Sequence, residues 1–584
     1  MKPSNESVAA ALAQLVAYTQ LEDGQSQSFR TRAYEKAIDA INGQSGDVAD
    51  MTLAELKSIE GVGDSTARKI TEFVANGSIG KVDRLKQRFP PSMLELMKIP
   101  GLGPKTVLAL QEHLDVVDVA GLEQAIADER LRDLPGLGKK SEEKIASAIE
   151  LLGIHSDETR TPIADAMRIA RRVMADLERT GLAGRIEYAG SLRRLSETIG
   201  DVDILATATD PDALIEAFTT IGGVTATLGS GSTKASVVID DRIQVDLRVV
   251  GDDDWGAALM YFTGSKGHNI ELRQRALDRG WTLNEYSLSS VEDGSVVASK
   301  TEHGIYDALD LPWISPEVRE GMGEIAAAAN GELPAPVVVD EIRGDLHVHT
   351  DMSGDGKSPL HDMLAAALKR GLEYVAITDH AEDLAMNGLS RERMLEQRAA
   401  IEEARARFPD LLILHGAELN IGPAGSIDYD AEFLEGFDFG VASVHSHFDL
   451  DADVQTARLV TALHDPAVNV IGHLSGRMIG SRPGIRFDLA TVLDAAAATS
   501  TAIEINASLQ RLDISAVNLR AAVAVEGVLF AISTDSHHAR ELDNMRWGVA
   551  QARKGWVPTS RIVNSLTKSE FMAWKAQKRD ATNG

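Results

Sequence analysis

Two aspartates separated by one residue, Asp201 and Asp203, open the apolar run Asp-Val-Asp-Ile-Leu. Such a run reads as a strand, and side chains two apart on a strand share a face. Two carboxylates on one face repel each other unless a cation lies between them. Hard oxygen ligands suit Mg²⁺, which also binds substrate phosphates. Upstream, the Gly190-Ser191 turn offers backbone N–H groups and a hydroxyl to a phosphate, and Arg194 adds a positive charge. Downstream, the β-rich run RIQVDLRVV over 242–250 sets Asp246 among Val and Leu, a candidate third carboxylate. Together these are the parts of a two-metal phosphoryl-transfer site. A lone Asp-x-Asp is most often a solvated turn; the upstream Gly-Ser and the later strand aspartate reverse that balance.

A second pattern is made of histidines. Of the 15 histidines, only His113, His155, His268 and His303 precede residue 340. His347 and His349 alternate in IRGDLHVHT, so both imidazoles share one side of a strand, and Asp355 follows in a Gly-rich turn. Later apolar runs end at His380, Glu418, His445, His473 and the pair Asp535 and His537, with helical segments between them. Chemistry at the C-terminal end of each strand in a strand–helix alternation predicts an α/β barrel. Imidazole with carboxylate suits Zn²⁺, Mn²⁺ or Fe²⁺. The histidines at 361, 415, 447, 464 and 538 are expected to be structural or supporting.

A third pattern repeats near the N-terminus: Gly61-Val62-Gly63, Gly101-Leu102-Gly103 and Gly136-Leu137-Gly138, each before a helical run. Glycine allows close backbone approach to a phosphate, and the following helix offers its first N–H groups. One such turn is commonplace; three in spaced repetition predict binding to the DNA backbone without sequence preference. The segments around these turns read as helices.

Composition sets the frame. At 584 residues the chain predicts roughly four domains. Hydrophobic content of 44% and charged content of 25% are those of a soluble globular protein. No apolar run approaches membrane-spanning length and no signal-peptide pattern opens the chain, so a cytoplasmic protein is expected. With no cysteine there is no disulfide and no thiolate metal site. The net charge of −29 excludes a general basic coat, and predicts that nucleic-acid contact is confined to one face.

These motifs carry two resemblances. The spacing from Gly190-Ser191 through Arg194 to Gly200-Asp201-x-Asp203 is similar to the palm of the family X DNA polymerases, within the wider nucleotidyltransferase fold. Tyr261-Phe262-Thr263-Gly264-Ser265, Asn269 and Arg273 extend the likeness, as does Asn284-Glu285-Tyr286. The resemblance implies Asp201, Asp203 and Asp246 as ligands of two Mg²⁺ or Mn²⁺ ions, with Asp246 aiding deprotonation of the primer 3′ hydroxyl. It implies Arg160, Gly190, Ser191, Arg194, Gly200, Tyr261, Phe262, Gly264 and Asn269 as contacts of a deoxynucleoside triphosphate, and Arg273 beside the template. Lys266, His268 and Gln244 stand where the vertebrate branch has Asp, Phe and Arg; Lys-Gly-His-Asn resembles the bacterial branch. Lys69 lies where the family's deoxyribose-phosphate lyase keeps its Schiff-base lysine, although Ser65 and Arg68 depart from the vertebrate pattern. The same position also suits an ordinary solvated helix lysine.

The C-terminal segment resembles the PHP (polymerase and histidinol phosphatase) domain, a distorted barrel of about seven strands. By position, the resemblance implies His347, His349, Asp355, His380, Glu418, His445, His473, Asp535 and His537 as ligands of up to three divalent ions, with phosphodiester hydrolysis as the activity. Thr350, Leu474-Ser475 and Ala507-Ser508 depart from the usual pattern without removing a ligand, and Arg477 is a candidate for the scissile phosphate.

The expected organisation is a multidomain chain: a lyase-like helical domain over 1–82, helix-hairpin-helix fingers over 83–157, an α+β palm over 158–250, a thumb-like part over 251–316, a linker over 317–340, and the barrel over 341–584. The expected function is gap-filling DNA synthesis with 3′–5′ exonuclease and abasic-site endonuclease activity, on gapped or primed DNA with deoxynucleoside triphosphates, as a monomer, without a membrane. Two other readings keep the barrel as a metal-bound scaffold, or the palm as a non-catalytic DNA-binding module.

Overall fold

The computed structural model describes residues 3, 5–25, 28–42, 48–59, 61–97, 99, 102–128, 130–134, 137–139, 141–142, 145 and 160–583. The chain divides into two compact units, Met1–Arg160 with Gly480–Pro483 and Thr161–Ile479 with Gly484–Gly584.

The first unit is helical. Two of its helices are capped by their own sequence: Thr52 and Glu55 form a capping box before Leu53–Ser58, and Asp118 accepts from the Gly121 N–H at the start of Val119–Ala127. One core runs from Val8 to Ile145. The boundary expected between 82 and 83 falls inside the Gly80–Arg88 helix, because both Val82 and Leu85 enter that core.

The second unit holds a palm, a thumb and a barrel. The palm sheet has five strands in the order Ala183–Tyr188, Asp201–Ala208, Ile243–Val249, Lys234–Ile239, Val224–Ser230. Only the second and third of these run parallel. Alternation along Asp201–Ala208 gives each face its task. Val202, Ile204 and Ala206 pack against the helices Ile163–Arg179 and Pro211–Thr220, while Leu205 packs on the other side with Ala258 and Leu259. The aspartates share that second face.

The thumb core includes Leu272, Leu283, Leu288, Ile305 and Tyr306. The stretch expected as a linker over 317–340 contains the helix Glu324–Asn330, whose Ile325 and Ala328 join this core with Val318. Their burial ties the segment to the thumb.

The barrel is a seven-stranded parallel sheet taken in chain order, from Gly344–Val348 to Leu529–Ser533. A bridge between Val348 and Ser536, with the His349 N–H donating to the Ser536 carbonyl at 2.8 Å, brings the last strand back to the first, so the barrel nearly closes. Leu346, Ala376, Val441, Val470 and Ala531 fill one cluster with Phe571 and Trp574 of the C-terminal helix Lys568–Asn583. Palm and barrel also share a core: Leu512, Trp547 and Ala550 of the barrel lie in the same cluster as Ile199, Val202 and Leu177. None of the described helices is long and apolar enough to cross a membrane.

Candidate active sites

In the palm, Asp203 and Asp246 are register partners across the parallel strand pair, and Asp201 pairs with Gln244. Burial pushes the Asp203 carboxyl up to about 7, with the charges of Asp201 and Asp246 adding to the effect. Asp246 behaves in the opposite sense. Burial would raise it, but bonds from Gln244 (2.8 Å), Ser236 and Lys234 outweigh burial and hold it below the usual carboxylate range. The Lys234 ammonium lies 3.1 Å from its other oxygen. The sequence gives no local sign of this lysine, which arrives from the neighbouring antiparallel strand.

Gly190 starts a four-residue helix, Gly190–Arg193, rather than a simple turn. Its φ is +59°, and a Cβ there would run into the Asp203 carboxylate. The Ala189 N–H donates to the Asp203 carbonyl at 2.8 Å, fixing this segment to the strand. A crowded carboxylate trio with a glycine cradle fits divalent cations. Ser191 follows in that helix, and Gly200 immediately precedes Asp201. Arg194 donates from Nη1 to the Thr263 carbonyl at 2.5 Å and lies 3.4 Å from Glu320.

Tyr261 and Phe262 meet edge to face at 5.2 Å. Arg273 lies over the Tyr261 ring, and Arg248 over Phe262. Asn269 donates to the Tyr261 carbonyl at 2.8 Å, while its buried Oδ1 has no hydrogen-bond partner. A Cβ on Gly264 would sit 3.4 Å from the Arg194 guanidinium, so these two residues adjoin. His268 is fully buried, bonded to Glu324 at 2.7 Å and to the Tyr306 hydroxyl at 2.8 Å. It therefore ties the Lys266–Leu277 helix to the thumb core.

In the barrel, the strand ends bring the imidazoles and carboxylates into one pocket. Glu418 is central: its oxygens lie 2.8 Å from His380, 2.9 Å from His473, 3.1 Å from His445, 3.4 Å from His347 and 3.6 Å from His349. Asp535 lies 3.3 Å from His349 and 3.6 Å from His347, and Asp355 lies 3.1 Å from His380 and 3.4 Å from His537. Three sets each hold ligand atoms within 4.8 Å of one another: His349, His380 and His537; His347, His349 and Glu418; His380, Glu418 and His445. Buried Nε2 atoms of His347 and His349, Nδ1 of His473 and Oδ1 of Asp355 have no hydrogen-bond partner. Orphaned donor and acceptor atoms converging in this way fit divalent metal ions.

The pocket's electrostatics agree. Although burial alone lowers an imidazole, the Glu504, Glu418 and Asp535 charges raise His347 well above its ordinary value. His380 is raised to about 10 and His537 to about 9, again against burial, by Glu418 and Asp355 for the first and chiefly by Asp355 for the second. Burial and the neighbouring His537 and His380 push His349 down to about 3. Divalent ions would take the places of the protons that these carboxylates draw in.

Several supporting residues have no motif of their own. Glu504 accepts from His347 Nδ1 at 2.7 Å and from the His473 N–H at 2.6 Å. Asn420 orients His445 at 2.7 Å, and Asn506 donates to both Glu504 and Asp535 at 3.1 Å. Such partners fix ring orientation at metal sites. Polar residues inside the run AIEIN were the available signal. Thr350 and Ser353 both donate to buried Asp379, so threonine after the second histidine keeps a hydroxyl there. His415 is stacked on Phe437 and His361 is exposed; neither joins the pocket. Arg477 does not reach the pocket as a free cation: its guanidinium donates to Glu197 and to the Arg511 and Leu512 carbonyls.

In the first unit, three turns repeat one pattern. Val62, Leu102 and Leu137 donate to the carbonyls of Ile59, Ile99 and Leu134 at 3.0 Å, and the carbonyls of Gly63, Gly103 and Gly138 accept from the first helical turn that follows. A Cβ on any of these three glycines would meet nothing within 4 Å, so the backbone there is open to an external group. Gly61 has φ +93°. Gly101 and Gly136 lie outside the described residues. Lys69 donates to the Ser65 hydroxyl at 2.7 Å and lies 5.4 Å from the Tyr34 ring centroid; burial lowers its pKa. Arg160 ends the N-terminal stretch of this unit.

The sequence matches four family descriptions: a helix-hairpin-helix domain over 3–79, a SAM-like helix-hairpin-helix tandem over 93–150, a DNA polymerase beta thumb over 258–320, and a PHP domain over 345–508. The "DNA polymerase/3'-5' exonuclease PolX" of Bacillus subtilis is 36% identical over 550 residues, covering 94% of this chain and 95% of that protein. DNA polymerase lambda of Rattus norvegicus is 27% identical over 329 residues, 51% of this chain and 53% of the relative. A "Probable phosphatase" of Shewanella sediminis is 30% identical over 229 residues, 38% of this chain and 88% of its own length.

Proposed function

The chain belongs to the bacterial family X DNA polymerases that carry a PHP domain, and we propose from that premise that it fills short gaps in DNA at the palm and removes 3′ nucleotides at the barrel. The observation that carries this reading is the presence of two separate clusters, each electrostatically incomplete without cations: the aspartate trio and the histidine–carboxylate pocket.

At the palm, Asp201, Asp203 and Asp246 would hold two Mg²⁺ or Mn²⁺ ions, and at the barrel His347, His349, Asp355, His380, Glu418, His445, His473, Asp535 and His537 would hold up to three, of Zn²⁺, Mn²⁺ or Fe²⁺. Such ions supply Lewis-acid stabilisation of charge on the reacting phosphate. The chain's own groups do the rest. Asp246, kept ionised by Gln244, Ser236 and Lys234, would aid deprotonation of the primer hydroxyl. Arg160, Arg194 and the Gly190-Ser191 backbone bind the triphosphate, Gly200 lets it approach, and Tyr261, Phe262, Gly264 and Asn269 hold the incoming sugar. Arg273 lies beside the template. The open turns at Gly63, Gly103 and Gly138, with their partners Gly61, Gly101 and Gly136, grip the DNA backbone. Lys69, with its lowered pKa, attacks an abasic-site aldehyde.

The proposed bodies are the helical region to about residue 157, the palm to 250, the thumb and its tail to about 340, and the barrel beyond, acting as a cytoplasmic monomer with an additional abasic-site endonuclease activity. One reaction tests the reading: 5′-phosphorylated, gapped DNA with Mn²⁺, with and without deoxynucleotides. Extension with nucleotides and 3′ shortening without them is the expected result. Extension alone would leave the barrel a scaffold, and shortening alone would leave the palm non-catalytic.

A further inference from the structure

A loop joins the palm and the barrel. Residues 508–513 leave the end of the Ala502–Asn506 barrel strand, and two consecutive side chains on that loop serve different domains. Leu512 is fully buried in the palm core cluster. Arg511 instead reaches the barrel pocket, where its Nε lies 3.5 Å from Asp535 and its buried Nη1 has no hydrogen-bond partner. A buried guanidinium N–H left unmatched costs free energy that an anionic oxygen would recover. Beside a pocket built for cations, the anion that satisfies both is a phosphodiester.

The loop is held from the palm. Arg477, only 14% exposed, donates from Nε to the Arg511 carbonyl at 2.8 Å, from Nη2 to the Leu512 carbonyl, and from Nη1 to Glu197 of the palm at 2.8 Å. All three faces of its fork are spent on positioning. Asp513 adds bonds from the Ser475 N–H and hydroxyl, the latter at 2.9 Å.

We infer that Arg511 binds the phosphate cleaved at the barrel, and that the palm residue Glu197, acting through Arg477, is a positioning residue for it. This rests on the barrel's being a nuclease. It makes the palm part of the exonuclease, although Glu197 touches neither substrate nor the metal-binding pocket.

The test uses the full chain loaded with Mn²⁺, measuring steady-state 3′ shortening of a primed duplex, primer extension and bound metal. Arg511→Ala is expected to raise KM for shortening about tenfold or more, with bound metal unchanged and partial recovery in Arg511→Lys. Glu197→Gln is expected to raise the same KM about threefold to tenfold with extension retained. Combined with Arg511→Ala, it should add nothing further. Loss of metal in Arg511→Ala, an effect on kcat alone, an unchanged KM in either single variant, or full additivity in the double variant would each overturn the inference. The parent enzyme separates the two levels: absence of 3′ shortening there refutes the nuclease reading and this inference with it, whereas shortening that is indifferent to Arg511 refutes this inference alone.

Discussion

Asp203 offers the most direct link between electrostatics and function. Its carboxyl, ordinarily near 3.8, is lifted to about 7 by burial and by the adjacent Asp201 and Asp246 charges. Below the ordinary value, folded and unfolded chains both carry the proton and the site costs nothing. As pH rises towards 7, the unfolded chain ionises while the folded one resists, so stability is lost across that window and stays lost above it. At about 1.4 kcal/mol per tenfold difference in proton affinity, the ceiling is about 4 kcal/mol, and relaxation with water entry reduces it to about 1–3 kcal/mol. Asp203→Asn removes the charge while keeping the shape. In metal-free protein at about pH 8, this variant should be more stable than the parent by that amount, and the advantage should vanish near pH 4. Mg²⁺ should raise the stability of the parent far more than that of the variant, and primer extension should be lost with 3′ shortening intact. Denaturant unfolding at the two pH values, with and without Mg²⁺, reads this out. A variant no more stable than the parent in metal-free buffer at the higher pH would refute the reasoning.

Further outcomes follow from other groups. Glu302 bridges Arg193 (2.8 Å) and fully buried Arg319 (2.6 Å); Glu302→Gln should cost about 3–5 kcal/mol in the palm–thumb–barrel unit, seen as a lowered unfolding midpoint. Glu418→Gln should strip metal from the barrel and abolish 3′ shortening while leaving extension, measured by metal analysis alongside both reactions. Metal affinity at the barrel should fall as pH falls below about 9, because protons on His537 and His380 compete with the ion, and titration calorimetry at several pH values checks this. Lys69→Ala should eliminate borohydride trapping on abasic DNA, whereas an unchanged adduct would return Lys69 to an ordinary surface lysine.

What could be read from the sequence is what short-range spacing encodes. Asp201 and Asp203 share a face because a strand alternates, and the bonds from Val62, Leu102 and Leu137 to Ile59, Ile99 and Leu134 repeat because each is made within a few residues. Strand-terminal ligands in a strand–helix alternation likewise announce a barrel, since every such strand must deliver its end to the same rim. Tertiary structure decided the rest, wherever a long polar side chain chose among distant partners. Arg477 meets Glu197 across 280 residues, which turns a candidate phosphate ligand into a strut. Glu504 orients His347 across 157 residues, and Lys234 reaches Asp246 from a neighbouring strand. His268 stands in the Lys-Gly-His-Asn stretch beside residues of the nucleotide site, yet burial against Glu324 and Tyr306 ties it to the thumb core. The same holds for Val82 and Ile325, whose helices look like ends and connections in sequence but bury apolar side chains in cores assembled from remote segments. Local periodicity fixes which face a residue takes. Only the folded chain fixes what stands opposite that face, because those pairings are set by burial and charge brought together over long separations.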